Sequence, residues 1–129
     1  MSTKEKRIGF VGLGRMGANM ARNLKDKGYQ ISTVYDINES VASSLADELG
    51  SQAASSLTEV TAHSDVILTV VTNDAAMESI FFNDADNLFS NSSGKLFINC
   101  ATLSPGLHVR LEGAAAEIGA QTLEGCMAS

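Results

Sequence analysis

The sequence has 129 residues, of which 44% are hydrophobic and 19% charged, with a net charge of −6 and an isoelectric point near 4.7. These values are typical of one globular domain, and the acidic balance disfavours nucleic acids and anionic membranes as partners because both attract basic surfaces. The sequence contains no apolar stretch of about 18 residues and no signal-peptide core, so we expect a soluble, intracellular protein of the cytoplasm with no membrane contact.

The cysteines give no pattern typical of a metal centre or a disulfide. Cys100 and Cys126 are far apart in the sequence and form no Cys-x-x-Cys pair. We therefore predict that both are small core residues and that the chain binds no metal.

A glycine-rich motif near the start of the chain is its most informative stretch. Residues 8–11 form a short apolar run typical of a buried strand, and residues 12–17 read Gly-Leu-Gly-Arg-Met-Gly. A helical pattern follows and ends at Gly28, and a second β-rich run, residues 31–35, ends at Asp36. This order of strand, glycines, helix, strand and acid is typical of a βαβ unit that binds dinucleotides.

Each residue type in this order has a physical task. Gly12 allows a sharp turn out of the strand, Gly14 lets the backbone approach a pyrophosphate, and Gly17 lets the helix pack close to the strand. The first helical turn has unpaired N–H groups and the positive end of the helix dipole, and both favour phosphate. Asp36 can accept hydrogen bonds from the ribose hydroxyls of an adenosine and would repel a 2′-phosphate. The alternative is a glycine turn with a structural role in another α/β protein.

The rest of the chain continues to alternate between helices and strands. The predicted elements are a helix capped by Asn38 and ended by Gly50, a short strand at 51–54, a helix after Ser55 or Ser56, a strand at 66–71, a helix after Asn73 or Asp74, a strand at 96–100, a helix from near Pro105 to Gly119 and a strand at 121–123. This pattern predicts an α/β fold with a doubly wound parallel sheet (Rossmann) in the strand order 3-2-1-4-5-6, over residues 1–129.

Hydrophobic periodicity supports the first and last predicted helices. In the first helix the apolar residues Met16, Met20, Ala21 and Leu24 face one way, and the last helix carries Leu107, Val109, Leu111, Ala115 and Ile118.

Two later strand ends are expected to line the same crevice. Ligands of this fold bind beyond the carboxyl ends of parallel strands, at the point where the strand order reverses. Thr72, Asn73 and Thr102 follow such strands and can offer hydroxyl or amide groups to a nicotinamide ribose or carboxamide. Asn73 and Ser104 could instead be only helix caps, and Thr102 could have a structural role.

Four segments, spread over nearly the whole chain, match the motifs of one enzyme family. Residues 8–24 read IGFVGLGRMGANMARNL, residues 65–81 read DVILTVVTNDAAMESIF, residues 97–105 read FINCATLSP and residues 123–129 read LEGCMAS. Together they resemble the N-terminal domain of the β-hydroxyacid dehydrogenases, the 3-hydroxyisobutyrate dehydrogenase group, with 6-phosphogluconate dehydrogenase as a more distant relative.

The resemblance implies a hydride transfer between NAD(P) and a short β-hydroxy acid. In this family the glycine loop and the acid after the second strand hold the adenosine half of the cofactor, and later strand ends contact the nicotinamide half or the substrate. NADP-preferring relatives usually carry Asn-Arg where this chain has Asp36-Ile37, so NAD is the predicted cofactor and NADP the less favoured one. The predicted cofactor-binding residues are Gly12, Leu13, Gly14, Arg15, Met16, Gly17, Asp36, Val71, Thr72, Asn73 and Thr102.

The sequence departs from the family where substrate is bound. Ala101 stands where the family usually has Ser, and Ala128 replaces a Ser that contacts the substrate. Glu124, Cys126 and Ser129 replace Asp, Pro and Gly. The substrate carboxylate would thus lose its usual hydroxyl donor, and we leave the identity of the acid open.

The resemblance places the family's catalytic lysine on a helix of a second domain, beyond the part that matches this chain. None of the five lysines here lies in such a segment, and we predict no catalytic residue in the chain. We expect the cofactor domain of a longer enzyme, inactive alone, whose partners are a C-terminal helical domain, a β-hydroxy acid and, at full length, further copies in a homo-oligomer. The alternative is a non-catalytic dinucleotide-binding or interaction module of a larger fusion protein.

Overall fold

A computed structural model describes residues 5–101 and 103–125 of the chain. Within these ranges the backbone forms six strands and five helices that alternate along the sequence. They are β1 (Arg7–Val11), α1 (Arg15–Asp26), β2 (Gln30–Tyr35), α2 (Glu39–Leu49), β3 (Gln52–Ala53), α3 (Leu57–Ala62), β4 (Val66–Thr69), α4 (Asp74–Phe82), β5 (Leu96–Asn99), α5 (Pro105–Glu117) and β6 (Gln121–Glu124).

The strands form one parallel sheet in the order β3-β2-β1-β4-β5-β6. The predicted doubly wound fold is therefore confirmed. β1 and β4 are neighbours, with Val11 opposite Thr69, so the strand order reverses between them. Their carboxyl ends border the crevice in which ligands of this fold bind.

Helices cover both faces of the sheet, and each face has its own apolar core. α1 and α2 pack on one face, over buried residues such as Phe10 and Val34. α3, α4 and α5 cover the other face, where the rings of Phe81, Phe89 and Phe97 contact one another at centroid distances of 4.6, 5.2 and 5.5 Å. Burial on both faces explains why β1 and β4 appear in the sequence as continuous apolar runs.

Not every apolar residue of α1 and α5 is buried, and the exposed fractions of Met16, Val109 and Ile118 are 53%, 69% and 39%. The buried residues of α1 are Gly17 and Ala21, and a Cβ on Gly17 would overlap the Gly12 carbonyl oxygen. Val109 is two positions from a buried leucine on either side, which is about half a helical turn, and Ile118 follows the last helical residue.

The loop between α4 and β5 reaches back to the start of α3, a contact that the sequence did not predict. The Asp86 carboxylate accepts the N–H groups of Leu57 and Thr58 at 2.8 and 3.0 Å and the Thr58 hydroxyl at 2.8 Å. Ser56 provides the local cap by accepting the N–H of Glu59 at 3.1 Å. Partial burial raises the pKa of the Asp86 carboxyl, but these hydrogen bonds outweigh burial and hold that pKa below its ordinary value.

Two other classes of structure are absent from the described ranges. No helix there combines the length and the apolar character needed to cross a membrane. No group of three or more His, Cys, Asp or Glu side chains in the same ranges is placed to hold a metal ion. Cys100 is a buried free thiol, as predicted, whereas Cys126 lies outside the described residues.

Candidate functional site

The turn after β1 requires glycine at two positions. Gly12 has a φ of 94°, in the left-handed region that glycine adopts without steric cost, and its N–H donates to the Tyr35 carbonyl oxygen at 3.0 Å. A Cβ on Gly12 would overlap the carbonyl oxygen of Val70, and one on Gly17 would overlap the carbonyl oxygen of Gly12. The structural tasks predicted for Gly12 and Gly17, a sharp turn and close helix packing, are confirmed.

Gly14 begins α1 and leaves open space in front of the helix. Its φ is −63° and its ψ −176°, and a Cβ built on it would meet no atom within 4 Å. No side chain in the described part of the chain caps α1, and the first turn contains no acidic residue. The first N–H groups of the helix, together with the positive end of its dipole, are therefore open to an anion.

The other four helices of the described ranges are capped by their own side chains. In each case a side-chain oxygen accepts a backbone N–H of the first turn, at distances of 3.1, 3.1, 2.9 and 3.4 Å. The caps are Asn38 for α2, Ser56 for α3, Asn73 for α4 and Ser104 for α5. The interpretation of Asn73 and Ser104 as caps is confirmed, and α1 differs from the other helices because a glycine occupies its cap position.

Asp36 lies next to the glycine turn. One carboxylate oxygen, Oδ2, accepts the N–H of Leu13 at 2.7 Å, and the other, Oδ1, accepts the N–H of Asn38 at 2.9 Å. Each oxygen of a carboxylate can accept two hydrogen bonds, so both retain capacity for a ligand hydroxyl. The bond to Leu13 is a feature that sequence reasoning missed, because spacing predicts the strand end but not the direction of the side chain.

Three predicted site residues, Gly12, Asp36 and Val71, line one cavity of about 200 Å³ at the carboxyl ends of β1, β2 and β4. We call it the switch-point cavity. Its remaining walls are mostly apolar and consist of Val11, Tyr35, Ile37, Ala76, Ser79 and Ile80. The cavity thus combines apolar surface with one carboxylate, a combination suited to a ligand with a flat apolar part and hydroxyl groups.

The rest of the glycine turn borders a second opening. Leu13 is buried, whereas Arg15 and Met16 are exposed in the first turn of α1. A larger cavity, of about 430 Å³, runs from this turn between α1 and α2 to the ion pair of Arg22 and Glu48, whose Nε and Oε2 atoms are 2.6 Å apart. None of its lining residues comes from β4 or β5. This cavity therefore does not connect the predicted residues near β1 and β2 with those that follow β4 and β5.

The loops after β4 and β5 are tied to each other. Asp74 Oδ1 accepts the N–H of Ser104 at 3.1 Å, and hydrogen bonds from Ser104 lower the pKa of the Asp74 carboxyl. Thr72 and Asn73 are exposed on the first of these loops and do not line the switch-point cavity. Thr102, the predicted contact on the second loop, lies outside the described residues.

The segment around Ala101 resembles the family's motif after the fifth strand, and its surroundings are as follows. Asn99 is buried, and its Oδ1 accepts the Thr69 hydroxyl at 2.7 Å, which joins β5 to β4. Ala101 is half-buried and offers no polar atom beyond its backbone. His108 Nε2 lies 3.2 Å from Glu124 Oε1, without the orientation of a hydrogen bond, where α5 meets the end of β6. Positions 126, 128 and 129 lie outside the described residues.

Comparison with known proteins gives one consistent family. The model of the NAD binding domain of 6-phosphogluconate dehydrogenase matches residues 7–126. The chain is 32% identical over 119 residues to NAD-dependent L-serine dehydrogenase of Pseudomonas aeruginosa, covering 92% of this chain and 39% of that protein. It is 34% identical over 128 residues to mitochondrial 3-hydroxyisobutyrate dehydrogenase of Drosophila melanogaster, covering 96% of this chain and 38% of that one.

Solved structures share the fold of this chain. An imine reductase from Myxococcus stipitatus in complex with NADP+ superposes with a TM-score of 0.83 at 24% identity, over 95% of this chain and 41% of the reductase. The chain therefore spans about two fifths of the length of the proteins it matches. Its motifs, its sheet order and its match over residues 7–126 agree, and the chain belongs to the family of the NAD binding domain of 6-phosphogluconate dehydrogenase.

Proposed function

We propose that this chain is the cofactor-binding part of an NAD-dependent β-hydroxyacid dehydrogenase. The observation that carries the proposal is the start of α1, which follows the carboxyl end of β1 with open N–H groups and with no Cβ at Gly14. A pyrophosphate is the group that such a helix end favours, through N–H donors and the helix dipole. The exposed Arg15 beside it can add a positive charge.

The other predicted residues would hold the two ends of the dinucleotide. Asp36 would accept hydrogen bonds from the adenosine ribose, and the apolar switch-point cavity would receive the adenine ring. Val71, Thr72, Asn73 and Thr102, which follow β4 and β5, would contact the nicotinamide half. A bound nicotinamide ring supplies hydride acceptance or donation, and this chain's part is to hold it at the carboxyl edge of the sheet.

We propose NAD rather than NADP as the cofactor. A 2′-phosphate on the adenosine ribose would stand beside the Asp36 carboxylate, and Ile37, which is 91% exposed, offers it no cation. An Asp or Glu at this position accepts hydrogen bonds from the ribose hydroxyls of NAD, whereas an Arg is the usual partner of the 2′-phosphate. The similarity to an NAD-dependent L-serine dehydrogenase supports the same choice.

The whole protein would act on a small β-hydroxy acid. Serine and 3-hydroxyisobutyrate, which appear in the names of the two relatives, are both short acids with a hydroxyl on the β-carbon. We propose residues 1–129 as the dinucleotide-binding domain and a following helical domain as the source of the catalytic lysine and of the contacts in a homo-oligomer. The acidic composition fits a soluble protein of the cytoplasm.

A titration of the chain with NAD tests the cofactor proposal. Calorimetry should give saturable binding with one site per chain. ADP should retain much of the affinity, because it carries the adenosine and pyrophosphate groups, whereas nicotinamide mononucleotide should bind far less well. The absence of saturable NAD binding would refute the proposal.

A non-catalytic dinucleotide-binding or interaction module is the second candidate function. Ala101 favours it, because a methyl group stands where the family usually provides a hydroxyl. The longest polypeptide that carries this chain should be tested for NADH formation with L-serine and 3-hydroxyisobutyrate. Turnover would exclude the non-catalytic candidate, and NAD binding without turnover on any short β-hydroxy acid would favour it.

A further inference from the structure

A second cavity adjoins the switch-point cavity on the β3 side. It has a volume of about 240 Å³ and shares Tyr35, Asp36 and Ile37 with the switch-point cavity. Glu39, at the start of α2, and Ser55, before α3, belong to this second cavity alone. We call it the outer cavity. Because Asp36 lines both cavities, the outer cavity lies next to the position proposed for the ribose.

We propose that the outer cavity excludes a 2′-phosphate, with Glu39 as a specificity-determining residue that acts in addition to Asp36. This inference rests on the proposed NAD site. Asp36 would discriminate by contact, because it accepts the ribose hydroxyls. Glu39 would discriminate through space, by the repulsion between its carboxylate and a phosphate that carries roughly two negative charges.

The charges around the shared wall of the two cavities are negative. Burial, followed by the charges of Asp86, Asp36 and Glu39, raises the pKa of the Tyr35 hydroxyl. One hydroxyl on the wall is therefore within the field of three carboxylates that approach it from different elements. The residues that line the outer cavity, all of them in the described ranges, include no Lys or Arg.

Several donors at the starts of the helices near the outer cavity already have acceptors within the chain. In the first turn of α2, the N–H groups of Ser40 and Val41 are directed to Asn38 Oδ1 at 3.1 and 3.4 Å. At the start of α3, Asp86 accepts two backbone N–H groups. Glu59 Oε2 accepts the N–H and the hydroxyl of Ser55, at 2.9 and 2.7 Å. The chain's own acceptors thus occupy the donors that attract anions at other helix ends.

Repulsion between separated charges depends strongly on salt concentration, whereas the effect of a lost hydrogen bond depends on it less. At low ionic strength a charge in the cavity acts on a phosphate over several ångströms, whereas at about 1 M salt the Debye length falls to about 3 Å. Neutralising Glu39 should therefore improve NADP binding mainly in dilute buffer. Asp36 contacts the ribose directly, and its effect should depend less on salt.

The test compares Glu39→Gln with Asp47→Asn, which removes the same charge from an exposed position on the same helix. Glu39→Asp, which keeps the charge, is the second control. NAD and NADP affinities are measured by calorimetry at about 20 mM and about 1 M salt. Each variant is also made in an Asp36→Asn chain, in which we expect stronger NADP binding because the charge of Asp36 is removed.

We expect Glu39→Gln to strengthen NADP binding roughly 3- to 10-fold in dilute buffer and to change NAD binding by less than about twofold. The gain should exceed that of Asp47→Asn, be absent in Glu39→Asp and nearly vanish in high salt. Equal gains in Glu39→Gln and Asp47→Asn, or a gain that persists in high salt, would overturn this inference while NAD binding stands. Loss of NAD binding in the unmodified chain would instead overturn the proposed function.

Discussion

The carboxylate of Asp36 accepts the N–H of Leu13 at 2.7 Å, so the acid at the end of β2 is bonded to the glycine turn that follows β1. A second bond, from the N–H of Asn38 at 2.9 Å, fixes the other carboxylate oxygen. The residue proposed to select the ribose therefore also holds the loop proposed to bind the pyrophosphate. One side chain thus positions both halves of the proposed adenosine site.

Asp36→Ala should weaken NAD binding by about 1.5–3 kcal/mol, because hydrogen bonds to a charged group are lost and the Leu13 N–H loses its acceptor. NADP binding should strengthen, because the carboxylate that repels the 2′-phosphate is removed, so the gap between the affinities for the two cofactors should narrow. Calorimetry with both nucleotides measures this, with Asp26→Ala, an exposed change at the end of α1, as control. Equal NAD affinity in Asp36→Ala and the unmodified chain would refute the role of Asp36.

Substitutions at Gly14 and Gly17 should have different effects, one on NAD binding and the other on stability. Gly14→Val should leave the free energy of unfolding within about 1 kcal/mol, because its side chain points into open space, yet abolish NAD binding by blocking the pyrophosphate. Gly17→Ala should destabilise the chain by about 1–3 kcal/mol or more, because its Cβ overlaps the Gly12 carbonyl. For both variants, urea unfolding measures the free energy of unfolding and calorimetry measures the affinity for NAD. Normal NAD binding by Gly14→Val would show that the loop is placed wrongly.

Asp86 should stabilise the fold in a pH-dependent way. Its carboxyl pKa is lower in the folded chain than its ordinary value of 3.8, so its contribution is fully present above about pH 4 and is lost as the pH falls through the folded value. Asp86→Ala should cost about 1–2 kcal/mol at pH 7, a modest figure because the carboxylate is partly exposed. Urea unfolding should show this difference shrinking towards pH 3. Asp84→Ala, an exposed change in the same loop, should have little effect at either pH.

Asp74 should affect the binding of the nicotinamide half of NAD and leave the binding of the adenosine half unchanged. Its bond to the Ser104 N–H ties the loop after β4 to the loop after β5, on the side proposed for nicotinamide. Asp74→Ala should therefore weaken NAD binding by roughly 3- to 10-fold, in keeping with about 1 kcal/mol for one hydrogen bond, while ADP binding stays unchanged. Glu112→Ala on α5 is a control of equal charge change. A parallel loss of ADP affinity would contradict a role confined to the nicotinamide side.

Local patterns determine most of this fold. The glycine turn, the helix caps Asn38 and Asn73 and the apolar strand β4 each follow from neighbouring residues, and together they predict the sheet order. Side-chain burial is less predictable. Met16 has the same helical spacing as Met20 and Leu24, but it is exposed, and the buried residues of α1 are Gly17 and Ala21.

The candidate site was predictable in position and less so in its contacts. Spacing places Gly12, Asp36 and Val71 at strand ends, and the fold brings them to one cavity. The bond from Leu13 to Asp36 crosses 23 positions, and that from Leu57 to Asp86 crosses 29. Such bonds depend on how elements pack, which no local pattern specifies.

The missing cap at Gly14 links the stability of α1 to whatever binds there. A serine or asparagine in that position would complete the helix from within the chain, but it would occupy the same N–H groups that an incoming anion needs. The first N–H groups of α1 consequently gain acceptors when a ligand binds. Ligand binding should therefore raise the free energy of unfolding, and the increase should grow with the ratio of the free ligand concentration to its dissociation constant.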